Sequence, residues 1–361
     1  MQKKMTRRRR AAFWILLILG LLLIIYNVVK LNIYVKAVAE NEISSLEKVE
    51  LGGYDQYILC EGKKDAPVLV MLHGGPMTPS PFGIGYRGAY PELTKEFLVV
   101  SWDEYGCGKN FVKDTKDFTA QGQVDIICDL VRWIKRTYSR QNIYLFGYSN
   151  GSLLTMEVAK QLGNQISGVI NNGPITSMQE DARDIIYQVL GEVSLTNKQN
   201  ARLEEDYKKD NAEGFTDMEA LVNECTDRIM IRGDDMGLSS TGKVYLRSLR
   251  ILFSPDYNLL DLYHAFYYYL YGESAYAEVC QDYYVMDEKP VYESLNVPVL
   301  ILQADGDVYG RPEYFKELAK ERENITYMSI KNCGHFPTNT GMDTILKEMT
   351  QWIQREKNKE G

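Results

Sequence analysis

The chain has 361 residues, 45% of them hydrophobic, which is enough length and apolar content to bury a large core and does not fit a disordered chain. Six basic residues among the first ten mask the acidity of the rest: the formal charge is −8 for the whole chain and −14 for the remainder. An acidic body excludes nucleic acid as a partner class and suits a small-molecule or short-peptide substrate, including peptides with a free amino group.

Lys3, Lys4 and Arg7 to Arg10 precede an uncharged, mostly aliphatic run from Ala11 to Val29. A helix over these nineteen residues would rise about 28 Å, close to the hydrocarbon thickness of a bilayer. The excess of positive charge before the run predicts a basic cytoplasmic segment over 1–10, a transmembrane helix over 11–29 and a catalytic body outside the cell membrane. Ala37-Val38-Ala39 resembles the small-residue site at which a secretory signal is cut. It lies well past the run, however, and the run is longer than a signal's apolar region, so the segment is read as a retained single-pass anchor.

Lys48 to Leu51 and Tyr54 to Cys60 predict two strands paired about Gly52 and Gly53. Pro67 to Leu72 is a continuous apolar run of the kind buried on both faces of a sheet, and it stops at His73-Gly74-Gly75-Pro76. Two glycines at a strand end let main-chain N–H groups face a substrate. Pro76 has no N–H to give, which makes Gly75 a candidate oxyanion donor. Phe97 to Trp102 predicts the next strand, followed by Asp103-Glu104-Tyr105-Gly106-Cys107-Gly108, where Asp103 is read as a carboxylate holding loop amides. Val124, Ile127, Val131 and Ile134 recur at helical spacing within 118–138.

Ile143, Leu145 and Phe146 form another apolar run, ending abruptly at Gly147-Tyr148-Ser149-Asn150-Gly151. In such a G-x-S-x-G elbow a strand feeds straight into a helix, and the serine between them is forced into a strained conformation that exposes its hydroxyl. Glycines at both ends relieve crowding across the turn. Ser149 is thus the candidate nucleophile, and the Asn150 N–H the second oxyanion donor. Leu153, Leu154, Met156 and Val158 supply the following helix, and Ile166 to Ile170 another strand. Alternating strands and helices predict a mostly parallel sheet flanked by helices over 45–174.

The pattern breaks at Pro174. From 175 to 289 the chain is rich in charge and tyrosine, with eleven tyrosines between Tyr245 and Tyr292, and is read as a helical cap over the carboxyl edge of the sheet. Its tyrosines suit either an aromatic pocket or helix packing. Acidic residues such as Glu204, Glu205, Glu213 and Glu273 would suit a substrate ammonium, although such side chains are more often simply solvated.

The core resumes over 290–357 with the buried run Val297 to Gln303, which leads into Ala304-Asp305-Gly306-Asp307. A carboxylate here can hold an imidazole in its working tautomer. Either aspartate could serve; Asp307 is preferred because a turn at Gly306 would aim the next side chain back over the sheet edge. Thr326 to Ile330 is a last short strand before Asn332-Cys333-Gly334-His335. Of the three histidines, His73 belongs to the glycine turn and His264 to the cap, which leaves His335 as the base, and the chain order serine, aspartate, histidine is the one expected for this architecture. Gly341 to Ile353 predicts a closing amphipathic helix. The six cysteines, at 60, 107, 128, 225, 280 and 333, form no C-x-x-C pair, so no metal or redox cluster is expected.

Taken together, these pieces resemble the α/β-hydrolase family from about Lys48 to Ile353. More narrowly, HGGP, DEYGCG, GYSNG, GDVYG and NCGH look like the proline iminopeptidase branch of serine peptidases, which typically shows HGGPG, DQRGCGRS and GGSWG. The resemblance implies an α/β-hydrolase fold with a helical cap insertion, a triad of Ser149, Asp307 and His335, and acyl transfer with no metal or organic cofactor. The implied activity is release of an N-terminal residue from peptides, with cap acids, which cannot be matched here residue by residue, binding the free amine. Four departures put proline specificity in question: Met77 for glycine, Glu104-Tyr105 for Gln-Arg, Lys109-Asn110 for Arg-Ser, and Asn150 for tryptophan. A carboxylester hydrolase or lipase of the same fold is the alternative, and a non-catalytic binding module the third.

Overall fold

The computed structural model describes residues 7–113, 118–178, 180–181, 246–271, 275–307 and 309–360. The apolar run lies in α1 (Arg7–Glu40), a helix of 34 residues without proline. Its segment Arg10–Glu40 is long and apolar enough to cross a membrane, and none of its most apolar window is buried. The helix does not end where the apolar run ends at Val29: nothing in residues 30–40 breaks it, and Lys36 and Glu40 pair one turn apart at 3.8 Å. Its last turns lie against the body of the protein, with Ala37 buried beside Gly88. Ala37-Val38-Ala39 is therefore helical.

An antiparallel hairpin follows, β1 (Ile43–Leu51) and β2 (Tyr54–Gly62). Gly52 and Gly53 have φ of +57° and +83°, the two left-handed positions that a two-residue turn between twisted strands requires. The hairpin adds through β2 to β4 (Leu98–Trp102), also antiparallel. From there every pairing is parallel, through β3 (Val68–Leu72), β5 (Ile143–Tyr148), β6 (Gly168–Asn172), β7 (Val299–Gly306) and β8 (Ile325–Gly334). The eight strands run in the order β1-β2-β4-β3-β5-β6-β7-β8.

Strand periodicity splits the core into two layers. Val68, Val70, Leu145, Val169 and Ile301 face α2 (Ala120–Tyr138) and α3 (Gly151–Leu162). Leu69, Met71, Phe146, Ile170 and Leu302 face Ile345, Met349 and Trp352 of α9 (Asn339–Glu360). Covered on both sides, these strands can be apolar at every position, which is why they read as continuous runs. Each buried aliphatic side chain contributes about 2 kcal/mol. Between β7 and β8 lies α8 (Pro312–Glu321).

The described part of 175–289 is helical: a 3-10 segment (Leu246–Phe253), α4 (Leu259–Ala265), α5 (Tyr267–Tyr271) and α6 (Ala277–Val285), with α7 (Lys289–Ser294) leading back to the core. Glu204, Glu205, Glu213 and Glu273 lie outside the described residues. Several tyrosines serve packing. The Tyr257 hydroxyl donates to Asp103 and that of Tyr276 to the Gly106 carbonyl, while Tyr283 and Tyr292 are fully buried. Asp103 also accepts from the N–H groups of Ile84 and Lys109, holding the loop amides together.

Candidate active site

Because β3 and β5 to β8 are parallel, their carboxyl ends share one edge of the sheet, where ligands of open α/β folds bind. The elbow leaves β5 at that edge. Ser149 has φ of +52°, a left-handed conformation costing a non-glycine residue about 1–2 kcal/mol. Its N–H donates to the Asn172 carbonyl at the end of β6 (3.0 Å), and its carbonyl accepts from Ser152 in α3 (2.8 Å). A Cβ on Gly147 would lie 2.5 Å from the Gly151 carbonyl oxygen, and one on Gly151 would lie 2.6 Å from that of His73. Neither position admits a side chain, so the turn is as tight as its glycines suggested.

The register of the last two strands brings aspartate and histidine together. Gly306 pairs with Gly334, so the next residues, Asp307 and His335, leave the sheet side by side. The His335 Nδ1 lies 2.9 Å from Asp307 Oδ1, and its Nε2 lies 2.8 Å from the Ser149 hydroxyl oxygen. An ionised carboxylate can only accept, so Nδ1 carries the proton and Nε2 is left to receive one from Ser149. Asp307 Oδ1 also accepts from the Tyr309 N–H (2.9 Å), a second contact that holds the carboxylate in place. Asp305 instead accepts from the Cys333 N–H and faces Lys331. Cys333 is buried, which pushes its thiol up to about 11 and keeps it out of the thiolate form.

Opposite the elbow, the His73–Thr78 turn comes close to the nucleophile: a Cβ on Gly74 would be 3.3 Å from that of Ser149. Gly75 has φ of +142°, open to glycine alone, and a Cβ there would strike the Met77 nitrogen at 2.7 Å. His73 is fully buried and accepts at Nε2 from the Glu104 N–H (3.0 Å), so its Nδ1–H donates to the Gly74 carbonyl (2.7 Å). Burial holds it neutral, with its pKa lowered to about 4. Glu104 Oε2 accepts from the Met77 N–H (3.0 Å) while Oε1 has no hydrogen-bond partner. Burial, aided by the nearby Asp103 charge, raises its pKa to about 8. Met77 itself has φ of +58°, which explains why glycine suits that position in the resembled family.

Three neighbours of the triad were not singled out from sequence. Gly173, with φ of +57°, faces the histidine–aspartate pair: a Cβ there would lie 3.1 Å from both His335 Nδ1 and Asp307 Oδ2. A glycine between a strand end and Pro174 was the available signal. Tyr148 stacks on the His335 ring at 5.7 Å and donates its hydroxyl to the His335 carbonyl (2.7 Å). Tyr309 covers the same ring at 4.5 Å. Asn150 is fully buried, and neither its amide oxygen nor its amide nitrogen has a hydrogen-bond partner. Such an orphaned amide costs about 1–3 kcal/mol unless something bonds it.

Residues 67–339 match the family model described as alpha/beta hydrolase fold. A probable aminopeptidase, YbaC of Bacillus subtilis, is 28% identical over 163 residues, covering 44% of this chain and 50% of that protein. A proline iminopeptidase of Thermoplasma volcanium is 24% identical over 127 residues, 35% of this chain and 41% of its own. The chain thus spans half or less of these curated relatives. The crystal structure of proline iminopeptidase from Mycobacterium smegmatis superposes with a TM-score of 0.58 at 15% identity, covering 88% of this chain and all of that one, a likeness of fold.

Proposed function

The chain belongs to the alpha/beta hydrolase family, and on that premise we propose that it is a membrane-anchored serine hydrolase acting by acyl transfer, an aminopeptidase of the proline iminopeptidase type. One observation carries the reading: His335 bridges the Ser149 hydroxyl at 2.8 Å and the Asp307 carboxylate at 2.9 Å. Those contacts suit a general base that takes a proton from the nucleophile and returns it to the leaving group.

In this mechanism Ser149 Oγ attacks a carbonyl as its proton passes to His335 Nε2, and Asp307 stays ionised to stabilise the imidazolium. The N–H groups of Gly75 and Asn150 receive the oxyanion, each donor lowering the barrier by about 3 kcal/mol. The imidazolium then protonates the leaving amine, the acyl-enzyme forms, and water repeats the sequence to release the acid. Every proton moves through His335, so the chemistry calls on no cofactor. The aminopeptidase relatives support a peptide substrate. One observation favours a second reading, carboxylester hydrolysis: an apolar helix that would keep the site beside membrane esters.

Ser149→Ala should abolish labelling by a serine-directed fluorophosphonate, and persistent labelling would remove Ser149 from the role. Rates on aminoacyl and prolyl amides set against short acyl esters then decide between the two substrates. Turnover of esters alone would reject the peptidase reading.

A further inference from the structure

The described cap carries a band of exposed apolar side chains that the chemistry above does not use. Leu249 and Leu252 stand one 3-10 turn apart, and Phe253, Leu259, Leu260 and Tyr263 continue the band, with Leu259 exposed to 75% and Leu260 to 60%. The band is tied to α1 at two heights. The Tyr26 hydroxyl donates to the Leu252 carbonyl (2.9 Å), and its ring lies 5.8 Å from that of Phe253. One helical turn further on, Lys30 Nζ donates to the Tyr257 carbonyl (2.6 Å). The segment between these contacts is pinned to the body, where Arg87 holds the Asp256 carboxylate by two bonds of 2.7 and 2.8 Å.

We propose that this band rests in the bilayer surface beside α1, so that the cap sits against lipid rather than standing clear of it. The proposal rests on the reading of α1 as a membrane span. If residues 11–29 fill the hydrocarbon, Tyr26 lies about 4–5 Å inside its boundary and Lys30 marks the headgroups. Side chains touching Tyr26, and those following the Tyr257 carbonyl held by Lys30, then occupy the interface. Leucine, phenylalanine and tyrosine there, with a lysine at the polar edge, form the composition that lipid interfaces favour. The band also continues directly from the contact with α1, so lipid covering one covers both. In water, these exposed leucines would face solvent without benefit.

The test uses the full-length protein in bilayer vesicles, with an environment-sensitive fluorophore on Leu260→Cys or, separately, on Ile18→Cys. Both sites are exposed, so the substitutions leave the core intact, and the unsubstituted chain serves as the labelling blank. Lipids brominated along their acyl chains should blue-shift and quench both probes. Quenching at 18 without quenching at 260 overturns the docked cap and leaves the span standing. Absence of quenching at both positions removes the span and the docking with it. A probe at 260 shielded from aqueous iodide but blind to brominated lipid also overturns the proposal, because a second copy or a soluble partner then covers the band.

Discussion

Two walls enclose Ser149, and they obey their pattern to different degrees. The elbow follows it at every position that sterics control: glycines at 147 and 151 where carbonyl oxygens leave no room, and a left-handed serine between them. The facing turn keeps Gly75 but places Met77 at φ of +58° and sets beneath it a buried Glu104 with one oxygen unpaired. One wall presents the nucleophile and tolerates almost nothing. The other departs from the pattern of the resembled family at Met77 and Glu104. On the proposed mechanism, making an acyl-enzyme and choosing its acyl group would then be separable tasks, placed on opposite sides of one serine.

The strongest way to break this contrast lies on the triad. Asp307→Asn would leave the fold intact but offer His335 the wrong partner, and kcat should fall about 10⁴-fold on peptide and ester substrates alike. A loss confined to one substrate class would show that this wall also selects. Gly173→Ala comes next. Its methyl would press on His335 and Asp307 from 3.1 Å and should lower kcat about 10–100-fold with KM little changed, as steady-state kinetics would reveal.

Two substitutions test polar groups buried on either side of Ser149, one in the elbow and one beneath the facing turn. Asn150→Leu, similar in volume, removes the orphaned amide. It should raise unfolding stability by about 1 kcal/mol, read from the denaturation midpoint. Glu104→Gln should change a pH dependence rather than a rate. Folded, Glu104 keeps its proton up to about 8, against an ordinary value of 4.5, so the native state binds the extra proton between those limits. Stability therefore declines as pH rises through that window and levels off above it. The variant should lack this decline and gain about 1–2 kcal/mol near the upper limit, read from denaturation midpoints across pH.

Most of the architecture was legible because sheet burial writes itself plainly: β3 is apolar throughout, β5 in most of its length and β7 from Val299 to Leu302, and the order of serine, aspartate and histidine survives any loop length. What escaped was set by three-dimensional closeness. Gly173 matters through a gap of 3.1 Å to residues 134 and 162 positions later, and no local pattern signals that. Tyr148 sat inside the motif but at a position the motif leaves open. The continuation of α1 past Val29 was not read because hydropathy falls at Lys30, whereas helical propensity does not. Asp307 was preferred to Asp305 on the strength of a turn at Gly306, and what the sequence did not carry was the strand register, in which residue 307 leaves the sheet beside His335.

Only Asn41 and Glu42 separate the last residue of α1 from the first of β1. A link that short, reinforced by the seating of Ala37 beside Gly88, behaves as a bracket rather than a leash. If α1 spans a membrane, as proposed, the candidate site would keep one heading and one altitude above it, sweeping a plane instead of a hemisphere. Encounter would depend on how substrates drift across that plane, and lengthening the bracket would alter capture without touching a single reacting atom.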